Sequence, residues 1–181
     1  MNTENNLECV SDFFYKITSN FLDILKNHWT NYGFIALLIE RTPNVPIDTL
    51  VVNFRTDSNP MNLTFTFLPL PDEDMEIDTV FLQVYTLLSS KPQVETMNEL
   101  EKALHFLNNQ LPVGFFGISN SNEITFRSVQ GISTSNYDFD INPIDKIREL
   151  FEMIISIFTP PISDICSGKK TFKQLAFELS N

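Results

Sequence analysis

Cys9, Cys166, His28 and His105 are the side chains in this sequence most able to carry covalent or metal chemistry. A thiol–imidazole pair needs the two groups within hydrogen-bond reach, and no local signature sets either cysteine beside either histidine. Two Cys and two His at such wide spacing also make a poor zinc set. His28 beside Trp29 reads as a helix-end residue, and His105 as a helix surface or boundary residue. Ser167-Gly168-Lys169-Lys170-Thr171 has part of the form of a phosphate-binding loop. Such a loop needs a further glycine five residues before its Gly-Lys pair, so that several backbone N–H groups converge on the phosphates. Ser163 holds that position, and Lys170 stands where Ser or Thr should follow the lysine. Asp72, Glu73, Asp74, Glu76 and Asp78 offer carboxylates at alternate positions, as a calcium loop does, but lack its central glycine and distal glutamate. They read as a solvated acidic loop. With no dinucleotide fingerprint and no nucleophile elbow either, the expectation is a protein that is not an enzyme and takes no cofactor or metal.

The bulk composition points to binding. The 181 residues include 12 Lys+Arg against 23 Asp+Glu, a net charge of -11 that repels phosphate backbones and argues against nucleic acid as a partner. Lys169, Lys170 and Lys173 form only a small basic group, read as a solvated helix face. At 43% hydrophobic and 19% charged the chain is globular in composition, and 17 phenylalanines suit a core or interface of rings that demand no hydrogen bonds. Met1–Glu8 has neither the basic nor the apolar region of a signal peptide, and two unpatterned cysteines fit a reducing compartment. The apolar runs Phe34–Ile39 and Met153–Phe158 are too short to cross a bilayer, so no membrane partner is expected. The expected localisation is cytoplasmic, which makes the Asn62-Leu63-Thr64 sequon a chance match.

No repeat or linker divides the chain, which is read as one domain over residues 1–181. Val10, Phe13, Phe14, Ile17, Phe21, Ile24 and Leu25 recur at helical steps, and Asn31 and Gly33 can end that helix. Four strand-like stretches follow: the run Phe34–Glu40, then Leu50, Val52 and Phe54, then Leu63, Phe65 and Phe67, and finally Val80–Leu88 after the break at Pro69-Leu70-Pro71. Thr96-Met97-Asn98-Glu99 has the form of a capping box opening a second helix with Met97, Leu100, Leu104 and Leu107 on its apolar stripe. Pro112 and Gly114 turn the chain into a hairpin, Val113–Ser119 and Ile124 onward, bent at Asn120-Ser121-Asn122. Asn142-Pro143 should cap a third helix carrying Ile144, Ile147, Phe151, Ile154 and Phe158, with Pro160-Pro161 ending it. A turn over Ile162–Ser167 closes at Gly168, and Thr171–Leu179 makes a last helical stretch. This order leaves few parallel crossovers, so the fold class is α+β, a mainly antiparallel sheet with three or four helices.

That order and several local passages resemble the YbjN family, whose fold is like that of type III secretion chaperones. Phe81-Leu82-Gln83-Val84-Tyr85 is similar to its last strand before the second helix, and Leu107–Phe116 to its leucine-asparagine, leucine-proline-x-glycine passage. Ile124-Thr125-Phe126-Arg127 and the tail Phe158–Leu179 with Gly168 are similar to its second hairpin strand and its ending. The chain departs from the chaperone-like pattern in having four candidate strands before the second helix rather than three. Either Phe34–Glu40 is an added strand or one of the four is not a strand. The resemblance implies a bacterial, non-enzymatic, chaperone-like protein that forms a homodimer and captures partner segments on apolar patches. The alternative is a small acidic immunity protein that blocks a basic toxin by charge complementarity. Val80, Leu82 and Val84 are apolar enough to serve the core, which leaves Phe81, Tyr85 and Leu87 on the other face as the expected partner-binding residues.

Overall fold

The computed structural model describes residues 12–55, 60–69, 79–133 and 140–180. The element order is α1 (Asp12–Asn31), β1 (Ile35–Ile39), β2 (Thr49–Arg55), β3 (Pro60–Leu68), β4 (Thr79–Leu87), α2 (Met97–Asn108), β5 (Phe115–Ile118), β6 (Ile124–Ser133), α3 (Asn142–Cys166) and α4 (Phe172–Leu179). All four stretches ahead of α2 are strands. The six strands form one antiparallel sheet in the order β1-β2-β3-β4-β6-β5. The fold is therefore α+β, as the alternation of periods demanded. The chain divides into two compact units: Met1–Val84 with Val129–Asp140, and Tyr85–Ser128 with Ile141–Asn181.

In the first unit, α1 lies on β1, β2 and β3. Phe14, Ile17, Phe21, Leu22, Leu25 and Trp29 recur at three- and four-residue steps and are all buried on that face. Beneath them, Leu50, Val52 and Phe54 of β2 and Leu63, Phe65 and Phe67 of β3 are buried at every second position, as a pleated strand dictates. Trp29, 1% exposed, sits with its ring centroid 5.6 Å from that of Phe54 and 4.5 Å from that of Phe65. Each such ring or branched side chain contributes about 1.5–3 kcal/mol by leaving water. The helix stops in a Schellman motif: Gly33 takes φ +85°, its N–H bonds to the Thr30 carbonyl, and the Phe34 N–H bonds to the Trp29 carbonyl. Beyond β1 the chain is pinned by Asp48, whose carboxylate accepts from the Arg41 N–H at 2.6 Å, while the Arg41 guanidinium lies 3.9 Å over the Tyr15 ring.

In the second unit, α2 packs on β5, α3 and α4. The core is again aromatic: Phe126 lies 4.7 Å from both Phe116 and Phe151, and Phe116 lies 6.1 Å from Phe158. Three local expectations are corrected here. The capping box at Thr96 and Glu99 does not form. The Thr96 side chain makes no cap, and its hydroxyl donates instead to the carbonyls of Gln93 and Cys166, both at 3.0 Å. The Glu99 carboxylate accepts from the Phe172 N–H at 2.9 Å and so closes the first turn of α4. Tertiary partners thus take both halves of a motif whose local bonds were worth only about 1 kcal/mol. The true capping box is at Thr171 and Gln174, at the start of α4.

The second and third corrections concern α3. It begins at Asn142 itself, with Ile141 at the boundary and no side-chain cap. It also runs through Pro160-Pro161 to Cys166. A proline inside a helix costs about 3 kcal/mol, but Ile162, Ile165 and Cys166 continue the buried face beyond the pair. The carbonyls that the two prolines cannot serve belong to Ser156 and Ile157, both exposed residues. The helix ends as Gly168 allows, at φ +72°, with its N–H on the Ile165 carbonyl and that of Lys169 on the Asp164 carbonyl.

Two expected outcomes follow from this unit. Gly114 has φ +73°, and a Cβ there would stand 2.7 Å from Cζ of Phe126 and 2.9 Å from the Arg127 carbonyl oxygen. Gly114→Ala should lower the unfolding free energy by about 2 kcal/mol in a denaturant titration. The Glu99 carboxyl is held below its ordinary range, first by the Phe172 N–H and then by its bond to Lys102. A lowered folded value means the contribution is present above the unfolded pKa and is lost as pH falls through the lower folded one. Protection of the Phe172 amide, its exchange relative to an unstructured amide at the same pH, should therefore persist through the ordinary glutamate range and fall only below it. In Glu99→Ala that protection should be weakened at every pH.

Candidate interaction surface

β4 divides its side chains as the alternation required. Val80, Leu82, Val84 and Thr86 are buried, whereas Phe81, Gln83 and Tyr85 are half-buried and Leu87 is 49% exposed. The three expected binding residues therefore do lie on the face turned from the core. They are not equivalent. In the first unit, Phe81 lies against Gly131 of β6: a Cβ on that glycine would meet the Phe81 ring at 3.9 Å and the Thr79 methyl at 3.3 Å. Part of Phe81 is thus spent covering a glycine. In the second unit, the phenol of Tyr85 is pushed above its ordinary pKa, by burial first and by the carboxylate of Glu123 second, so it stays neutral and can donate a hydrogen bond. Leu87 is the member of the set most open to water.

A second apolar surface lies on β1, where the sequence offered a run with no alternation and so no sign of which side chains face out. The antiparallel register sets Ile35 opposite Asn53, Leu37 opposite Val51 and Ile39 opposite Thr49, and continues onto Asn62, Thr64 and Thr66 of β3. These are the rows that face away from α1, because the alternate rows hold the buried Leu50, Val52, Leu63 and Phe65. The outer rows are polar on β2 and β3, Val51 apart, with the Asn53 and Asn62 side chains bonded to each other at 2.7 Å. At the margin they turn apolar: Ile35 is 63% exposed, Leu37 60% and Ile39 38%. Natural edge strands more often carry charge there.

β5, at the other end of the strand order, is managed differently. The Asn108 side chain of α2 forms both bonds that a neighbouring strand would form: its Nδ2 donates to the Phe116 carbonyl at 2.9 Å, and its Oδ1 accepts from the Phe116 N–H at 2.7 Å. An amide side chain there stands in for a peptide group. Phe115 is covered by the Arg127 guanidinium at 4.8 Å.

The residues considered for chemistry are not drawn together. Among the described residues no group of three or more His, Cys, Asp or Glu stands where it could hold a metal ion. Cys9 and the acidic run Asp72–Asp78 lie outside the described residues. His28 makes ring contacts with Trp29 and Tyr32, and His105 reaches Asn109 at 3.5 Å. Lys170, from the incomplete phosphate-loop text, is bound to Glu178 at 2.8 Å. No helix among the described residues is long and apolar enough to cross a membrane. Burial pushes the Cys166 thiol up to about 11, so at neutral pH it carries almost no thiolate, the form that reacts. Iodoacetamide should leave Cys166 unmodified in the folded protein and label it fully in denaturant, as read by peptide mass mapping. Rapid labelling of the folded chain would contradict that assignment.

No family model and no curated protein matches this chain.

Proposed function

We propose that the chain is a non-enzymatic, chaperone-like protein of the bacterial cytoplasm, holding segments of a partner protein on the outer face of β4. The observation that carries this reading is the placement of Phe81, Tyr85 and Leu87 on the non-core side of one strand, with Leu87 half open to water. Large apolar side chains left partly open on the non-core face of a strand are a recurring mark of partner binding. The neutral phenol of Tyr85 adds a donor for a partner carbonyl. The quoted passages that resemble the YbjN family support the same class of activity, and the net charge of -11 keeps such a surface in solution.

The test uses a reduced, aggregating client protein followed by light scattering. The intact chain should slow aggregation when present in excess, and Leu87→Asp should weaken that effect severalfold with an unchanged melting temperature. Leu87 is the right first variant because its exposure spares the fold, whereas Phe81→Ser also uncovers Gly131 and should cost stability. Protection that ignores Leu87→Asp, or no protection, would overturn the reading. Binding that instead falls steeply with added salt would favour charge-led recognition of a basic partner.

A further inference from the structure

β1 ends the strand order, and among the described residues no strand lies on its other side. We propose that this margin pairs with the same strand of a second copy of the chain, antiparallel and about a two-fold axis at Leu37. The inference is independent of the β4 reading, since it uses another strand.

The side chains are suited to one another across such an axis. An antiparallel pairing centred on Leu37 sets Ile35 opposite the partner's Ile39 and Leu37 opposite the partner's Leu37. The exposed row Ile35, Leu37, Ile39 then meets an identical apolar row at cross-strand distances of about 5 Å. The backbone groups along the open side find donors and acceptors in the same step. Nothing along Ile35–Ile39 prevents this approach: it contains no proline, no lysine and no other charge. By contrast, Asn108 already occupies the Phe116 backbone on β5.

Electrostatics selects this strand for self-association. Two chains of charge -11 repel one another over most of their surface. Residues 31–39 carry no charge at all, and the first charged residues are Glu40 and Arg41. In the proposed register Glu40 stands opposite the partner's Phe34, six residues from the other Glu40. That is about 20 Å at the strand rise, well beyond a Debye length of about 8 Å. Two acidic copies can therefore meet here with little penalty. The exposed parts of the three side chains come to roughly 300 Å² per copy, of which in-plane pairing covers only the flanks, against about 800 Å² in a stable interface. The association is accordingly weak and concentration-dependent.

The test is sedimentation of the full chain from about 1 µM to about 1 mM, where a weak dimer passes from dissociated to associated. The mass should rise from 20.8 kDa toward twice that value. Leu37→Lys, which sets two cations together at the axis, should hold the chain monomeric with its melting temperature unchanged. Register is read by cross-linking in a Cys9→Ser background: Leu37→Cys should oxidise to a covalent dimer, and Ile35→Cys should do so far less. A chain that is monomeric throughout, a dimer indifferent to Leu37→Lys, or equal cross-linking by the two cysteine variants would each overturn the proposal. Monomers whose Leu37→Lys variant loses capture of a foreign protein would assign the edge to a foreign strand and also overturn the second copy as its occupant. None of these outcomes bears on Leu87→Asp in the client assay, so the two readings fail separately.

Discussion

The packing of Trp29 between the rings of Phe54 and Phe65 decides the first unit. A side chain of that size can be buried on only one side of a three-stranded layer, and it carries α1 with it. Once α1 is committed, the two-residue period of a strand allows no compromise: Leu50, Val52, Leu63 and Phe65 turn inward, and every partner row turns outward. The exposure of Ile35, Leu37 and Ile39 is the far end of the same decision, because β1 must follow the register of β2. Among the described residues no strand lies beyond β1, and its outer apolar residues are exposed.

How far this was legible depends on the kind of signal. Period 2 in β2 and β3 and period 3.6 in α1 and α2 stood in the sequence, because burial acts on every second or every third to fourth residue and repeats. Gly33, Gly114 and Gly168 were legible for a different reason: each sits where the chain must take positive φ, and few other residues can. What failed were the readings of helix starts from capping side chains and of a helix stop from proline. Thr96 and Glu99 hold every atom a capping box needs, yet they bond to Cys166 and Phe172, some 70 positions away in the chain. Pro160-Pro161 is a strong local stop that the burial of Ile162, Ile165 and Cys166 overrides. Local propensity is a small term, and long-range packing outweighs it wherever the two compete.

The candidate surface was legible in the same uneven way. Phe81, Tyr85 and Leu87 were singled out because apolar residues on both sides of one strand break the expected alternation. β1 was not, since Phe34–Glu40 is apolar at nearly every position, and only the strand order reveals that it lies at a margin. Asn108 was equally hidden. Nothing about an asparagine at the end of a helix announces that it will bond to the main chain of Phe116 and close an edge. Edges are properties of topology, which residue spacing does not encode.

The 17 phenylalanines and the single tryptophan have an optical consequence. The one indole lies in the first unit, shut away from water among Phe54 and Phe65. The second unit is built round Phe116, Phe126, Phe151 and Phe158, whose rings emit almost nothing under tryptophan excitation. A red shift in emission on denaturation therefore reports the loosening of α1 from β2 and β3 and is blind to α3 and α4. Far-ultraviolet dichroism, dominated by the helices of both units, weighs the chain more evenly. Where the two curves part, the units are melting at different denaturant concentrations.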